Sequence, residues 1–226
     1  MVEVYLLKNH TPEETLYLLS PYLLLEEREH IQRYRNLQDR SNSLLGMLAI
    51  KYLLENKDLG SSPIFREATG KPYVKLPGWK GGISISHSGK TVACAITSNG
   101  AVGVDIEEFH EIDVNVAKEI LSHQELKAFQ KLHTLKDQHT FIFKQWTLKE
   151  AYLKATGMGL QNTLLSDIEF TTSGQPKLIA EESWSFFSSM MNVSLYLSLC
   201  YACQMSQEIQ PKIMTVQELE SHFSQS

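Results

Sequence analysis

Hydrophobic residues recur every third or fourth position in two long stretches of this chain, and every second position in several short ones. The first long stretch, about 38–55, sets Leu44, Leu45, Leu48 and Leu53 on one face and predicts an amphipathic helix. The second, about 138–156, aligns Phe143, Trp146, Glu150, Leu153 and Gly157 along one seam, with the two glycines Gly157 and Gly159 as a stop. Before the first helix come a short strand, Val2–Leu7, a helix start at Thr11-Pro12-Glu13-Glu14 and a charged helix over 23–35. Between the long helices the period changes to two. GISISH (82–87), TVACAIT (91–97) and AVGVDIE (101–107) read as strands, joined by Ser88-Gly89-Lys90 and by the hairpin signal Asn99-Gly100. This predicts a three-stranded antiparallel meander. Ser122-His123-Gln124-Glu125 is a capping box. Further strands are expected over 167–171, 177–180, 184–187 and 192–202, and 208–226 reads as a loosely attached tail.

Each half therefore carries a long helix followed by antiparallel strands. The fold class expected is α+β, with two similar lobes in a pseudo-twofold arrangement, each a long helix packed on a small antiparallel sheet. The lobes would span 1–107 and 108–207, with a C-terminal tail at 208–226.

A hydrophobic content of 42% supports a real core, and a net charge of −5 removes any overall nucleic-acid footprint. Arginines 28, 33, 35 and 40 still form a local group able to hold phosphates. No apolar run has the length of a membrane span, and the N-terminus lacks a basic region followed by an apolar core. The expectation is a cytoplasmic protein with no membrane and no nucleic-acid partner. Cys94, Cys200 and Cys203 lie in strand-like apolar segments and read as reduced core cysteines, although Cys200 and Cys203 have CxxC spacing.

The chemistry concentrates at two places. In AVGVDIE the period of two puts Gly103, Asp105 and Glu107 on one face. Two carboxylates there, read alone, also suit a solvent-facing acidic edge. On the central helix Glu150 interrupts an apolar seam, where an unpaired charge is costly, with Lys154 one turn on. Three carboxylates with open positions suit Mg²⁺, which keeps waters and shares substrate phosphates. His87, between Ser86 and Ser88, and Lys71, before a proline, add the parts of a polyanion pocket.

Gly70-Lys71-Pro72, Ile85-Ser86-His87-Ser88-Gly89, VGVDIE (102–107) and WTLKEAYLK (146–154) occur in the order and spacing of a known family. Over about 1–205 the chain resembles the Sfp-type 4'-phosphopantetheinyl transferases. The resemblance implies transfer of the phosphopantetheine arm of coenzyme A to a serine of an apo acyl or peptidyl carrier protein, releasing adenosine 3',5'-bisphosphate. It also implies a monomer with coenzyme A and Mg²⁺ between its lobes. By position, Asp105, Glu107 and Glu150 would hold Mg²⁺, Glu150 would accept the serine proton, and Lys154 would neutralise the pyrophosphate. Lys71, Ser86, His87 and Ser88 would bind the 3'-phosphate, with Ser43 and Arg40 nearby. Glu27 and His30 stand where the family often has basic residues, with Arg28, Arg33 or Arg40 as substitutes. The carrier would meet 109–121 and the residues after Lys154, such as Met158 and Leu160. Two other readings stand beside this one: another Mg²⁺-dependent phosphoryl transferase, which the absence of a P-loop disfavours, and a silent carrier-binding module, which the presence of all three acids disfavours.

Overall fold

The computed structural model describes residues 1–60, 62–109, 113–159, 163–181, 183–192, 194–202 and 208–225. In chain order the elements are β1 (Val2–Lys8), α1 (Pro12–Leu19), α2 (Leu25–Gln32), α3 (Leu37–Glu55), β2 (Phe65–Arg66), β3 (Pro72–Tyr73), β4 (Gly82–Ser88), β5 (Thr91–Thr97) and β6 (Val102–Glu108). These are followed by α4 (Ala117–Ile120), α5 (His123–Phe129), α6 (Leu135–Thr156), β7 (Ser185–Asn192), β8 (Leu195–Tyr201), β9 (Lys212–Ile213) and α7 (Val216–Ser224). The fold is α+β and divides into two compact units, Met1–Asn99 with Gln207–Ser226, and Gly100–Ser206.

In the first unit α3 starts at Asn36, whose side chain accepts the Gln38 amide at 2.7 Å. The helix is buried on nearly every face from Ser41 to Leu54. The single apolar stripe read from the sequence understates this burial, because α3 packs on β4 and β5 and also meets α1, α2 and α7. The sheet order is β4-β5-β1-β9. β4 and β5 form the expected hairpin, but the other neighbour of β5 is β1, with Val4 opposite Ala95.

The predicted meander is thus broken at its third strand: β6 leaves this sheet and pairs antiparallel with β8, Asp105 opposite Ser198. A strand end offers its hydrogen bonds to whichever partner completes the better-packed face, and Asn99-Gly100 does not close a hairpin. The lobe boundary accordingly falls after Asn99 and not after Glu107. The C-terminal segment is no loose tail. β9 adds in parallel to β1, and α7 buries Leu219 and Phe223 in the first unit's core.

The second unit has sheet order β6-β8-β7, with α6 packed on β6 and β8. The expected strands at 167–171 and 177–180 reduce to one bridge, Phe170–Leu178. Residues 165–167 are instead a 3-10 turn. Strand by strand, β6-β8-β7 repeats β1-β5-β4, and in each unit the long helix lies in sequence between the first strand and the hairpin. Cys94 and Cys200 are buried, and burial pushes the Cys94 thiol up to about 12. Cys203 lies outside the described residues. No helix among the described residues is long and apolar enough to cross a membrane.

Candidate functional site

In the second unit the chemistry is set by how closely α6 approaches β6. Thr134 caps the helix by accepting the Asp137 amide at 3.0 Å, and Gly157 ends it in the left-handed conformation at φ 76. A Cβ at Gly103 would run into the Ala151 carbonyl oxygen and the Ala155 amide of α6. That position must be glycine for the strand to lie against the helix. Asp105, two residues on and therefore on the same face, is buried. Lys154, in the last turn of α6, donates to Asp105 Oδ1 at 2.6 Å.

Glu150 joins this pair electrostatically. Its carboxyl is pushed up to about 7, first by burial and then by the charge of Asp105. Lys154 offsets part of this, Glu107 adds to it, and a hydrogen bond from the Trp146 indole lowers it slightly. Burial works against the Lys154 ammonium, but Asp105, Glu150 and Glu107 outweigh it and its pKa is raised. The three acids and one lysine thus share one field. Among the described residues no three His, Cys, Asp or Glu side chains form a ready-made metal cluster, and the Lys154 ammonium supplies positive charge at Asp105.

In the first unit, proposed anion-binding residues gather around Tyr34. His87 Nδ1 stands 3.8 Å from Asp39 Oδ1, and its ring meets Tyr34 edge-on at 5.9 Å. Tyr34 in turn meets His30 at 6.0 Å, and its carbonyl accepts from Arg40 at 3.1 Å. Arg40 Nε and His30 Nε2 are buried with no hydrogen-bond partner among the described residues. The His30 ring is held down to about 4, first by burial and then by Arg66 and Arg33. Ser86 and Ser88 flank His87 on β4, Ser43 is buried on α3, and Lys71 precedes β3. Arg66, Tyr34 and Asp39 are absent from the sequence reading. Arg66 sits on a two-residue strand with no periodicity to flag it; its charge beside His30 is visible only in the fold.

Ala117, Ile120 and Leu121 are buried in a local core and Phe109 stacks on Phe143 at 4.6 Å, whereas Met158 is exposed. Residues 110–112 and Leu160 lie outside the described residues.

The profile of the 4'-phosphopantetheinyl transferase superfamily matches residues 101–196, which contain all three acids and Lys154. The 4'-phosphopantetheinyl transferase gsp of Aneurinibacillus migulanus is 34% identical over 165 residues, covering 71% of this chain and 68% of the relative. Its counterpart psf-1 of Bacillus pumilus is 30% identical, over 73% and 71%. The 4'-phosphopantetheinyl transferase Sfp of Bacillus subtilis strain 168 is 29% identical, over 80% and 81%. With identity of this order sustained over more than two thirds of its relatives, the chain belongs to the 4'-phosphopantetheinyl transferases, of the Sfp type.

Proposed function

We propose that this chain moves the 4'-phosphopantetheine arm of coenzyme A onto a serine of an apo acyl or peptidyl carrier protein, with Glu150 accepting the serine proton directly or through a water. The serine Oγ forms a bond to the phosphorus nearer the pantetheine, the bridging P–O bond of the pyrophosphate breaks, and adenosine 3',5'-bisphosphate leaves. The observation that supports this reading best is the environment of Glu150. Burial and the charge of Asp105 raise its carboxyl above the ordinary carboxylate range, which makes it a better proton acceptor than an exposed acid, and a side chain held beside the serine serves as general base.

The donor set at Asp105, Glu107 and Glu150 fits a hard divalent cation. All the donors are carboxylate oxygens, and their mutual repulsion, visible in the upward push on Glu150, is what a cation relieves. Mg²⁺ bound there supplies positive charge for the pyrophosphate and for the charge that develops on its leaving oxygen. Lys154 adds a second positive charge for the pyrophosphate. In the first unit, Arg33, Arg66, Arg40, His30 and His87, with Lys71, Ser43, Ser86 and Ser88, supply donors for the 3'-phosphate. The protein acts as a cytoplasmic monomer, with exposed Met158 among its carrier contacts.

Intact-mass analysis tests this. A panel of apo acyl and peptidyl carriers is incubated with the protein, coenzyme A and Mg²⁺. At least one should gain the mass of a single phosphopantetheine arm, and Glu150→Gln should slow that gain by about 10²–10⁴-fold while the protein stays folded. A complex without any mass gain would leave only a binding module.

A further inference from the structure

Two buried ion pairs in this chain are built to one plan. In the first unit Glu27, third residue of α2, accepts from the Lys51 ammonium of α3 at 2.6 Å and from the Leu24 amide at 2.9 Å, both on Oε2. Its Oε1 accepts the Ile64 amide at 3.0 Å. In the second unit Glu125, third residue of α5, accepts from the Lys149 ammonium of α6 at 2.5 Å and from the Ser122 amide at 2.8 Å, again both on Oε2. Its Oε1 accepts the Phe170 amide at 2.8 Å. Acid and lysine are 24 residues apart in both cases. The second pair has one further bond, from Lys149 to the Ile120 carbonyl at 2.6 Å, and neither of its side chains has any exposed surface.

Energy alone does not explain such a pair. Removing two charges from water costs about as much as their attraction returns, and an apolar pair of equal volume often holds a fold as well. The ion pair adds direction. Glu125 collects hydrogen bonds from the start of α5, from α6 and from the segment at Phe170, and so fixes α6 in both rotation and height. The residue after Lys149 is Glu150; the residue after Lys51 is Tyr52.

We propose that Glu125 and Lys149 are positioning residues for the transfer reaction, setting the rotation of α6 and with it the place of the Glu150 carboxylate against Asp105. The inference rests on the role proposed above for Glu150. A side-chain tip lies roughly 6 Å from a helix axis, so a rotation of about 10° moves it by about 1 Å, and a misplacement of that size costs up to about 10²-fold in rate.

The first-unit pair is the internal control. Glu125→Leu/Lys149→Met and Glu27→Leu/Lys51→Met each remove both charges, so no lone charge stays buried. Melting temperature, kcat and KM for coenzyme A are measured for each, together with Mn²⁺ affinity by electron paramagnetic resonance without carrier present. The second-unit double should lose about 10–100-fold in kcat and bind Mn²⁺ several-fold more weakly. The first-unit double should keep kcat and Mn²⁺ affinity at temperatures where it is folded. Wild-type kcat and Mn²⁺ affinity in a folded second-unit double overturns the proposal, as does equal loss in both doubles. If the second-unit double fails to fold, Lys149→Arg, which keeps the charge but changes its reach, should fold with reduced kcat, and full kcat there overturns the proposal equally. Glu150→Gln separates the two layers. If it retains wild-type kcat, the role of Glu150 fails and takes the positioning claim with it. If it is inactive while the double is unaffected, the positioning claim alone fails.

Discussion

The ammonium of Lys154 lies 2.6 Å from Asp105 Oδ1, so one hydrogen bond ties the last turn of α6 to the middle of β6. Asp105 is almost wholly buried while Lys154 keeps about a third of its side chain exposed. The pair therefore falls between the surface and interior limits. Lys154→Ala takes an ammonium partner from a buried carboxylate and should cost about 1–3 kcal/mol, between the values for exposed and buried pairs. Asp105→Asn/Lys154→Ala should recover part of that loss. Thermal melts of the wild type, both single variants and the double close the cycle. A stability loss in the double equal to the sum of the singles would mean that the contact contributes nothing.

His30 reports on the first unit's cation group. Its ring is held near 4, first by burial and then by Arg66 and Arg33, and is therefore neutral at pH 7. The unfolded chain binds a proton there near 6.5 and the folded chain near 4. Stability should thus fall as pH drops from about 6.5 to 4 and level off below. A phosphate placed among these groups reverses the repulsion. Adenosine 3',5'-bisphosphate should raise the His30 value, followed by its ring proton shifts in NMR, toward or above 6.5. No movement at saturating ligand would place the anion elsewhere.

Gln145 is fully buried on α6, and both polar atoms of its amide lack a hydrogen-bond partner among the described residues. An unsatisfied buried polar group costs about 1–3 kcal/mol. Gln145→Leu, of similar volume, should therefore stabilise the protein by that amount, raising the melting temperature by several degrees. A lower melting temperature would show that the amide is satisfied in solution.

These positions show what the sequence discloses and what it withholds. VGVDIE and WTLKEAYLK were legible because their periods and chemistry are local: alternation put Asp105 and Glu107 on one face, and an acid in an apolar seam marked Glu150. The partner of β6 was not legible. Asn99-Gly100 carries a strong hairpin signal, yet Gly100 is glycine for another reason. It adopts φ 79, and a Cβ there would lie 2.9 Å from the Ala202 carbonyl oxygen. Lys149 carries no local signal, because nothing in the periodicity of its helix marks a buried charge there. Its partner lies 24 residues back, and only the recurrence of that spacing at Glu27 and Lys51 signals it. Arg66 joins His30 through the fold alone.

The C-terminal segment offers the last test, because charged contacts hold it where the sequence read a tail. Glu3 on β1 accepts from Lys212 of β9 at 2.8 Å, from Tyr5 at 2.9 Å and from Lys57. Burial alone raises its carboxyl, but the hydrogen bonds from Lys212, Lys57 and Tyr5 outweigh burial and bring it down to about 2. A depressed carboxyl stabilises the fold above its unfolded value near 4.5 and loses that contribution as pH falls toward 2. Lys212 is largely exposed, so solvent screening leaves the contribution on the order of 1 kcal/mol. Glu3→Gln should remove it at pH 7, lower the melting temperature by a few degrees and flatten the acid limb between pH 4.5 and 2. Hydrogen exchange should then quicken first just after β9, at the amide of Met214 that donates to the Leu6 carbonyl at 2.9 Å. Unchanged exchange there, together with an unchanged acid limb, would mean that the apolar contacts of Leu219 and Phe223 hold the segment without help from Glu3.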